Sequence, residues 1–159
     1  MADGIIYHAA TKDELAKVVH DFGVAARKCK LAGCDGVQIH AAHGFLLTTF
    51  LSPHFNKRAD EYGGPIENRS RLLFEIYDSV RNAVGVDYPI ALKLSFSDLV
   101  SDSSTPEEML WVCKELEKKG IDFIEVSSGI SADNSGASCS PVLRNGDREG
   151  KFLESVLLV

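Results

Sequence analysis

The stretch AGCDGVQIH, residues 32–40, returns without gaps as KGIDFIEVS at residues 119–127. Each copy reads as the end of a helix, a glycine cap, an aspartate, and an apolar strand that stops on a polar residue. A repeated helix–glycine–strand unit is the building block of α/β architectures. Strands separated by whole helices cannot close as hairpins, so the sheet they form is parallel. This pattern does not separate a doubly wound sheet from a barrel.

Working outward, Thr11-Lys12-Asp13-Glu14 forms a capping box, in which the threonine hydroxyl and the glutamate satisfy each other's backbone amides. Leu15, Val18, Val19, Phe22, Ala25, Ala26 and Cys29 follow at helical spacing up to Gly33. Val37 to His40 is a short strand, and residues 44–67 read as a long polar loop with Pro53 and a Gly63-Gly64-Pro65 turn. Leu72, Leu73, Ile76, Tyr77, Val80 and Val84 stripe a second helix closed by Gly85. Ile90 to Ser95 is apolar at nearly every residue, as in a strand covered on both faces.

Thr105-Pro106-Glu107-Glu108 is a second capping box, with proline at the first helical position. Met109, Leu110, Val112, Cys113 and Leu116 give that helix its buried side, Gly120 ends it, and Ile121 to Ser127 is the third strand. From Ser128 onward Ser, Gly, Asn and Asp dominate without periodicity. The expected division is an α/β domain over residues 1–130 and an irregular tail over 131–159.

Seventeen basic and 23 acidic residues leave a net charge of −6 with no basic cluster, which argues against a nucleic-acid partner. No run approaches the ~20 apolar residues of a membrane span, and the N-terminus lacks a signal-peptide pattern. Cys29, Cys34, Cys113 and Cys139 form no C-x-x-C pair and suit a reducing compartment. The expectation is a soluble, cytoplasmic protein. No glycine-rich phosphate loop of the G-x-G-x-x-G or G-x-x-x-x-G-K-[ST] kind occurs.

In parallel α/β folds ligands gather at the carboxyl ends of the strands. Those ends carry His40 and His43, Lys93 and Ser95, and Ser127 and Ser128. The set offers hydrogen-bond donors and one cation, which suits holding an oxygen that gains negative charge. A His-x-x-His pair also serves as half a zinc site, with His54 the nearest third imidazole. Lys93, between Leu92 and Leu94, must aim its ammonium at a carboxylate, a phosphate or an anionic ring. Arg58, Asp60, Glu61, Glu67 and Arg69 alternate in sign and read as ion pairs that shape the loop.

AGCDGVQIHAAHGFLLTTFLSPHFNKRADEYGGPIENRSRLLFEI, followed by YPIALKLSFSD and EMLWVCKELEKKGIDFIEVSSG, closely resembles the central segment of the Old Yellow Enzyme family. These are FMN-dependent NADH:flavin oxidoreductases and ene-reductases. The resemblance covers roughly residues 11–130 and implies a partial (β/α)8 TIM barrel of about three βα units, the fourth to sixth of the family. It implies FMN, reduced by NADH or NADPH, passing hydride to an α,β-unsaturated carbonyl compound. His40 and His43 match the pair that binds the substrate's carbonyl oxygen. Lys93 matches an arginine beside the flavin's N1/O2 edge.

Phe45 stands where the family has the tyrosine that protonates the substrate's α-carbon. Phenylalanine has no hydroxyl and cannot serve as a general acid. Slowed alkene reduction, or a redox-neutral isomerisation, is the expected consequence. A complete barrel takes about 250 residues, so a truncated chain is expected, with self-association through exposed barrel edges. The competing readings are an inactive family member that does not hold FMN tightly, and a metal enzyme built on the histidines.

Overall fold

The computed structural model describes residues 8–130 and 157–158. Residues 131–156 of the expected tail, Cys139 among them, lie outside the described residues. Helix α1 (Lys12–Leu31) leads to strand β1 (Val37–Ala41), and two short helices follow, α2 (Leu46–Leu51) and α3 (Ile66–Arg69). Helix α4 (Arg71–Val84), strand β2 (Ile90–Ser95), helix α5 (Pro106–Lys119) and strand β3 (Phe123–Ser127) complete the order. The strands pair in parallel as β1-β2-β3.

The helix starts follow from their caps. The Thr11 and Thr105 side chains each accept from the amide three residues on, and Glu14 and Glu108 reach back to complete both boxes. Gly120 ends α5 in the left-handed region at φ 84°, where a Cβ would add strain. All six stripe residues of α4 are buried, as are Met109, Val112, Cys113 and Leu116 of α5. Each fully buried aliphatic side chain of this kind contributes about 1.5–3 kcal/mol relative to exposure. Against α4, α1 buries a narrower stripe than its periodicity suggests. Leu15, Gly23 and Ala26 are buried and Ala25 is exposed. Gly23 crosses α4 so closely that an added Cβ would lie 2.5 Å from Ser79 Oγ.

Sheet burial decides between the two arrangements that the sequence leaves open. Ile39, Ala41, Leu92 and Leu94 are buried against the helices, while Gln38 and His40 are exposed and Lys93 and Glu125 half-buried on the other face. Helices therefore cover one face, as on a barrel wall, and the expectation that β2 is covered on both faces is corrected. The register agrees. His40 corresponds to Ser127 in the sequence repeat, yet it sits level with Lys93 and Glu125. The offset is two residues over two strand steps, one per strand, which is the stagger of an eight-stranded barrel of shear eight.

The segment read as a polar loop contains α2, which buries Leu47, Thr48, Phe50 and Leu51. No side chain caps this helix, and six residues are too few to show a period; burial rather than propensity forms it. Beyond it Asn56 Nδ2 donates to both Phe50 O and Tyr62 O at 2.7 Å. Arg58 pairs with Asp60 at 2.6 Å and donates to Ala10 O at 2.8 Å. The Arg58 guanidinium holds the Asp60 carboxyl down at about 2. Glu61 instead pairs with Lys12, and the buried Arg69 with Glu108. Gly63 lies so close to this turn that a Cβ would fall 2.1 Å from Arg58 O. Strand β3 starts at Phe123 rather than Ile121, because the Asp122 carboxylate takes the Ile90 amide at 2.9 Å instead. Among the described residues no helix is long and apolar enough to cross a membrane.

Candidate functional site

At the carboxyl end of β1 the chain does not continue straight. His43 and Gly44 both take positive φ, 63° and 79°. A left-handed histidine is uncommon and persists only where its surroundings hold it. Here the His43 amide donates to Ser95 Oγ at 3.0 Å, at the end of β2, and His43 bridges to Ile130 beyond β3. The turn brings the His43 ring back over the strand ends, 5.3 Å from the His40 ring and nearly perpendicular to it.

The sequence-derived residues largely converge. His43 Nε2 lies 2.7 Å from Ser127 Oγ, closing the gap from β1 to β3. His40 is level with Lys93 in the sheet register and on the same open face. The Phe45 ring sits 5.1 Å from His40 and is 58% exposed, a large apolar surface left open at the rim. Ser128 turns away, its hydroxyl donating to the Ser127 carbonyl. His54 is drawn off to Asp102 at 2.6 Å. Among the described residues no three His, Cys, Asp or Glu side chains gather as a metal-ligand set.

Two residues that the sequence reading passed over complete the site. Glu125, level with Lys93 on β3, accepts from its ammonium at 2.7 Å. Gln38 Nε2 donates to the same carboxylate at 3.0 Å. Lys93 thus aims at a carboxylate, one of the three partners its sequence context requires. The signal for Glu125 was its place in the repeat, two residues before the strand end. Its register against Lys93 depends on a pairing that a single strand does not reveal.

Electrostatically both imidazoles are biased toward the neutral form. Partial burial lowers the pKa of His40 and of His43, the Lys93 ammonium lowers both further, and Glu125 opposes it. A neutral imidazole has one N–H donor and one acceptor nitrogen. The arrangement therefore presents N–H groups and a cation beside an aromatic surface, on a face without helices among the described residues. Such a set has the chemistry to hold an electron-rich oxygen or the polar edge of a flat heteroaromatic ring.

Residues 2–142 match the NADH:flavin oxidoreductase / NADH oxidase family. An NADPH dehydrogenase of Geobacillus thermodenitrificans is 43% identical over 119 residues, 75% of this chain and 34% of that protein. A 2-naphthoyl-CoA reductase, solved with 2-naphthoyl-CoA, superimposes with a TM-score of 0.83 at 32% identity, over 98% of this chain and 24% of that one. The old yellow enzyme homologue from Zymomonas mobilis gives a TM-score of 0.69 at 36% identity, over 75% and 34%. The chain thus spans about a third or less of each of these proteins.

Proposed function

Because the chain belongs to the NADH:flavin oxidoreductase / NADH oxidase family, we propose that it is an FMN-dependent oxidoreductase of the Old Yellow Enzyme kind. The substrate is a small α,β-unsaturated carbonyl compound, and the reductant is NADH or NADPH. One observation supports this above the others: the register sets the His40 imidazole beside the Lys93 ammonium at the strand ends, on the open face.

The residues present fit the cofactor's ring. A flavin edge carries carbonyl oxygens and a nitrogen that gains negative charge on reduction. Lys93 and Gln38 supply a cation and an amide donor on one face, where both meet the Glu125 carboxylate. Bound FMN would supply the two-electron chemistry, accepting hydride from the nicotinamide and delivering it to the alkene.

His40, which makes no hydrogen bond among the described residues, would donate its N–H to the substrate's carbonyl oxygen. Charge builds on that oxygen as the β-carbon is reduced, and a preplaced donor stabilises it. Ser127 holds the orientation of the His43 ring through its contact with Nε2. Phe45 gives the substrate an apolar wall and no acid. Protonation at the α-carbon then falls to water or another donor, which slows net reduction and leaves isomerisation as an outcome.

Lysine keeps the positive charge of the family's arginine but not its bidentate fork, and here Glu125 offsets that charge. Both features favour a second reading, a family member that holds FMN weakly and turns over little. Titration of the purified protein with FMN, followed by flavin fluorescence, tests the first reading. Saturable quenching and a yellow protein are expected; a colourless protein at excess FMN overturns it.

Cys29, Cys34 and Cys113 are free thiols, which suits a reducing compartment, and a cytoplasmic location is part of the proposal. Strands β1 and β3 each have one neighbour in the sheet among the described residues. Association of copies through these edges is the partner reading, to be checked by the protein's mass in solution.

A further inference from the structure

The two oxygens of the Glu125 carboxylate are held from two different strands. Oε1 accepts from Lys93 Nζ on β2, and Oε2 accepts from Gln38 Nε2 on β1. Since β1 and β3 are not neighbours, the Gln38 and Glu125 side chains meet over β2. The ammonium is thereby pinned on the open face at the level of His40. The charged groups acting on the imidazole pair are Lys93 from β2 and Glu125 from β3, which oppose each other on both rings, and His40, which acts on His43 in the same direction as Lys93.

We propose that Glu125 is a positioning residue that fixes the Lys93 ammonium and sets the net charge of the face on which the histidine pair and the flavin ring meet. With Glu125 ionised, the Lys93 charge is balanced and the face is neutral. Without it the face carries one uncompensated positive charge beside both imidazoles. The pair is 27% and 41% exposed, so water screens it in the open site. A ring lying over it expels that water, and the effect of the carboxylate grows as the local dielectric falls. The part of the proposal that concerns the flavin rests on the oxidoreductase reading, and the part that concerns the histidines does not.

The test uses the whole chain, first without flavin. Ring-proton NMR titration of His40 and His43 is followed in the parent protein, Glu125→Gln and Lys93→Met. Glu125→Gln keeps the shape and an oxygen for Lys93. Both histidine protonation constants are expected to fall, roughly threefold or more, and to rise in Lys93→Met. Unchanged histidine titrations in a folded Glu125→Gln overturn the proposal, even if stability falls, since a mere strand tie would not move them. Should Glu125→Gln fail to fold, Glu125→Asp decides: its shorter reach loosens Lys93 and must still shift both titrations.

The second arm measures the reduction midpoint of bound FMN. Glu125→Gln is expected to raise it by about 30 mV, a tenfold change for a two-electron couple. An unmoved midpoint overturns the proposal. A parent protein that binds no FMN refutes the oxidoreductase reading instead and leaves the histidine titrations to judge Glu125.

Discussion

His43 and Ser127, 84 residues apart in the chain, meet at 2.7 Å through Nε2 and Oγ and tie the end of the first strand to the end of the third. The contact closes a turn that already holds His43 in the left-handed region against Ser95. Ser127→Ala removes a partner from a strained residue. Its expected cost is about 0.5–1.5 kcal/mol of stability, with a changed tautomer ratio for the His43 ring. Nitrogen-15 chemical shifts of that imidazole read the second effect directly; an unaltered ratio means that Ser127 does not set the tautomer.

Phe45 lies beside His40 with its ring open to the rim. On the proposed reading, Phe45→Tyr supplies the missing acid beside the substrate's α-carbon. Turnover on a simple enone is expected to rise about 10²-fold, the lower end of what general acids contribute. The check is steady-state reduction of cyclohexenone by NADPH. Equal rates in the two proteins would remove the missing hydroxyl as the limitation.

How far the sequence went is clear from where it stopped. Thr11, Thr105, Gly120 and the α4 stripe were readable because caps and 3.6-residue periods are local. Strand β2 was readable over its full length, Ile90 to Ser95, since Pro89 marks its start. The histidines were found by position, at a strand end before a glycine. Helix α2 was missed because its residues turn helical to bury Leu47 and Phe50, and nothing within six residues announces that. Glu125 was missed for a different reason. Its role exists only in the lateral pairing with Lys93 and Gln38, which a one-dimensional pattern does not contain.

Arg69 carries the largest structural prediction. It is 3% exposed, donates to the carbonyls of Leu51 and Gly64 and to Ser104 Oγ, and pairs with Glu108. It therefore joins the end of α2, the turn before α3 and the start of α5. Arg69→Met leaves those acceptors and a carboxylate without their donor, at a cost of about 3–5 kcal/mol. Urea denaturation should show the midpoint falling steeply, and Glu108→Gln, which keeps an acceptor, should lose less.

Asp98 yields a pH dependence. It is 3% exposed; burial pushes its carboxyl above the ordinary range, while hydrogen bonds from Ser52 and Ser103 and the nearby His54 pull it back. A carboxyl raised by folding favours the folded state at pH values below its unfolded pKa, and that contribution is lost as pH rises through the raised value. Asp98→Asn removes the penalty and keeps hydrogen-bonding partners. It is expected to melt higher than the parent at pH 7, with the difference shrinking toward pH 4. Thermal midpoints across that window test the sign, and a gain that grows on acidification would contradict it.

The alternation of the first strand has a wider consequence. Ile39 and Ala41 anchor the scaffold, while Gln38 and His40 face the open side that carries the proposed site, so two unrelated demands are interleaved along five residues. Single replacements on the open face therefore leave the packed side of the strand intact. A one-residue slip of this strand against β2 would exchange the two sets, turning aliphatic groups to the open face and an imidazole into the packed interior.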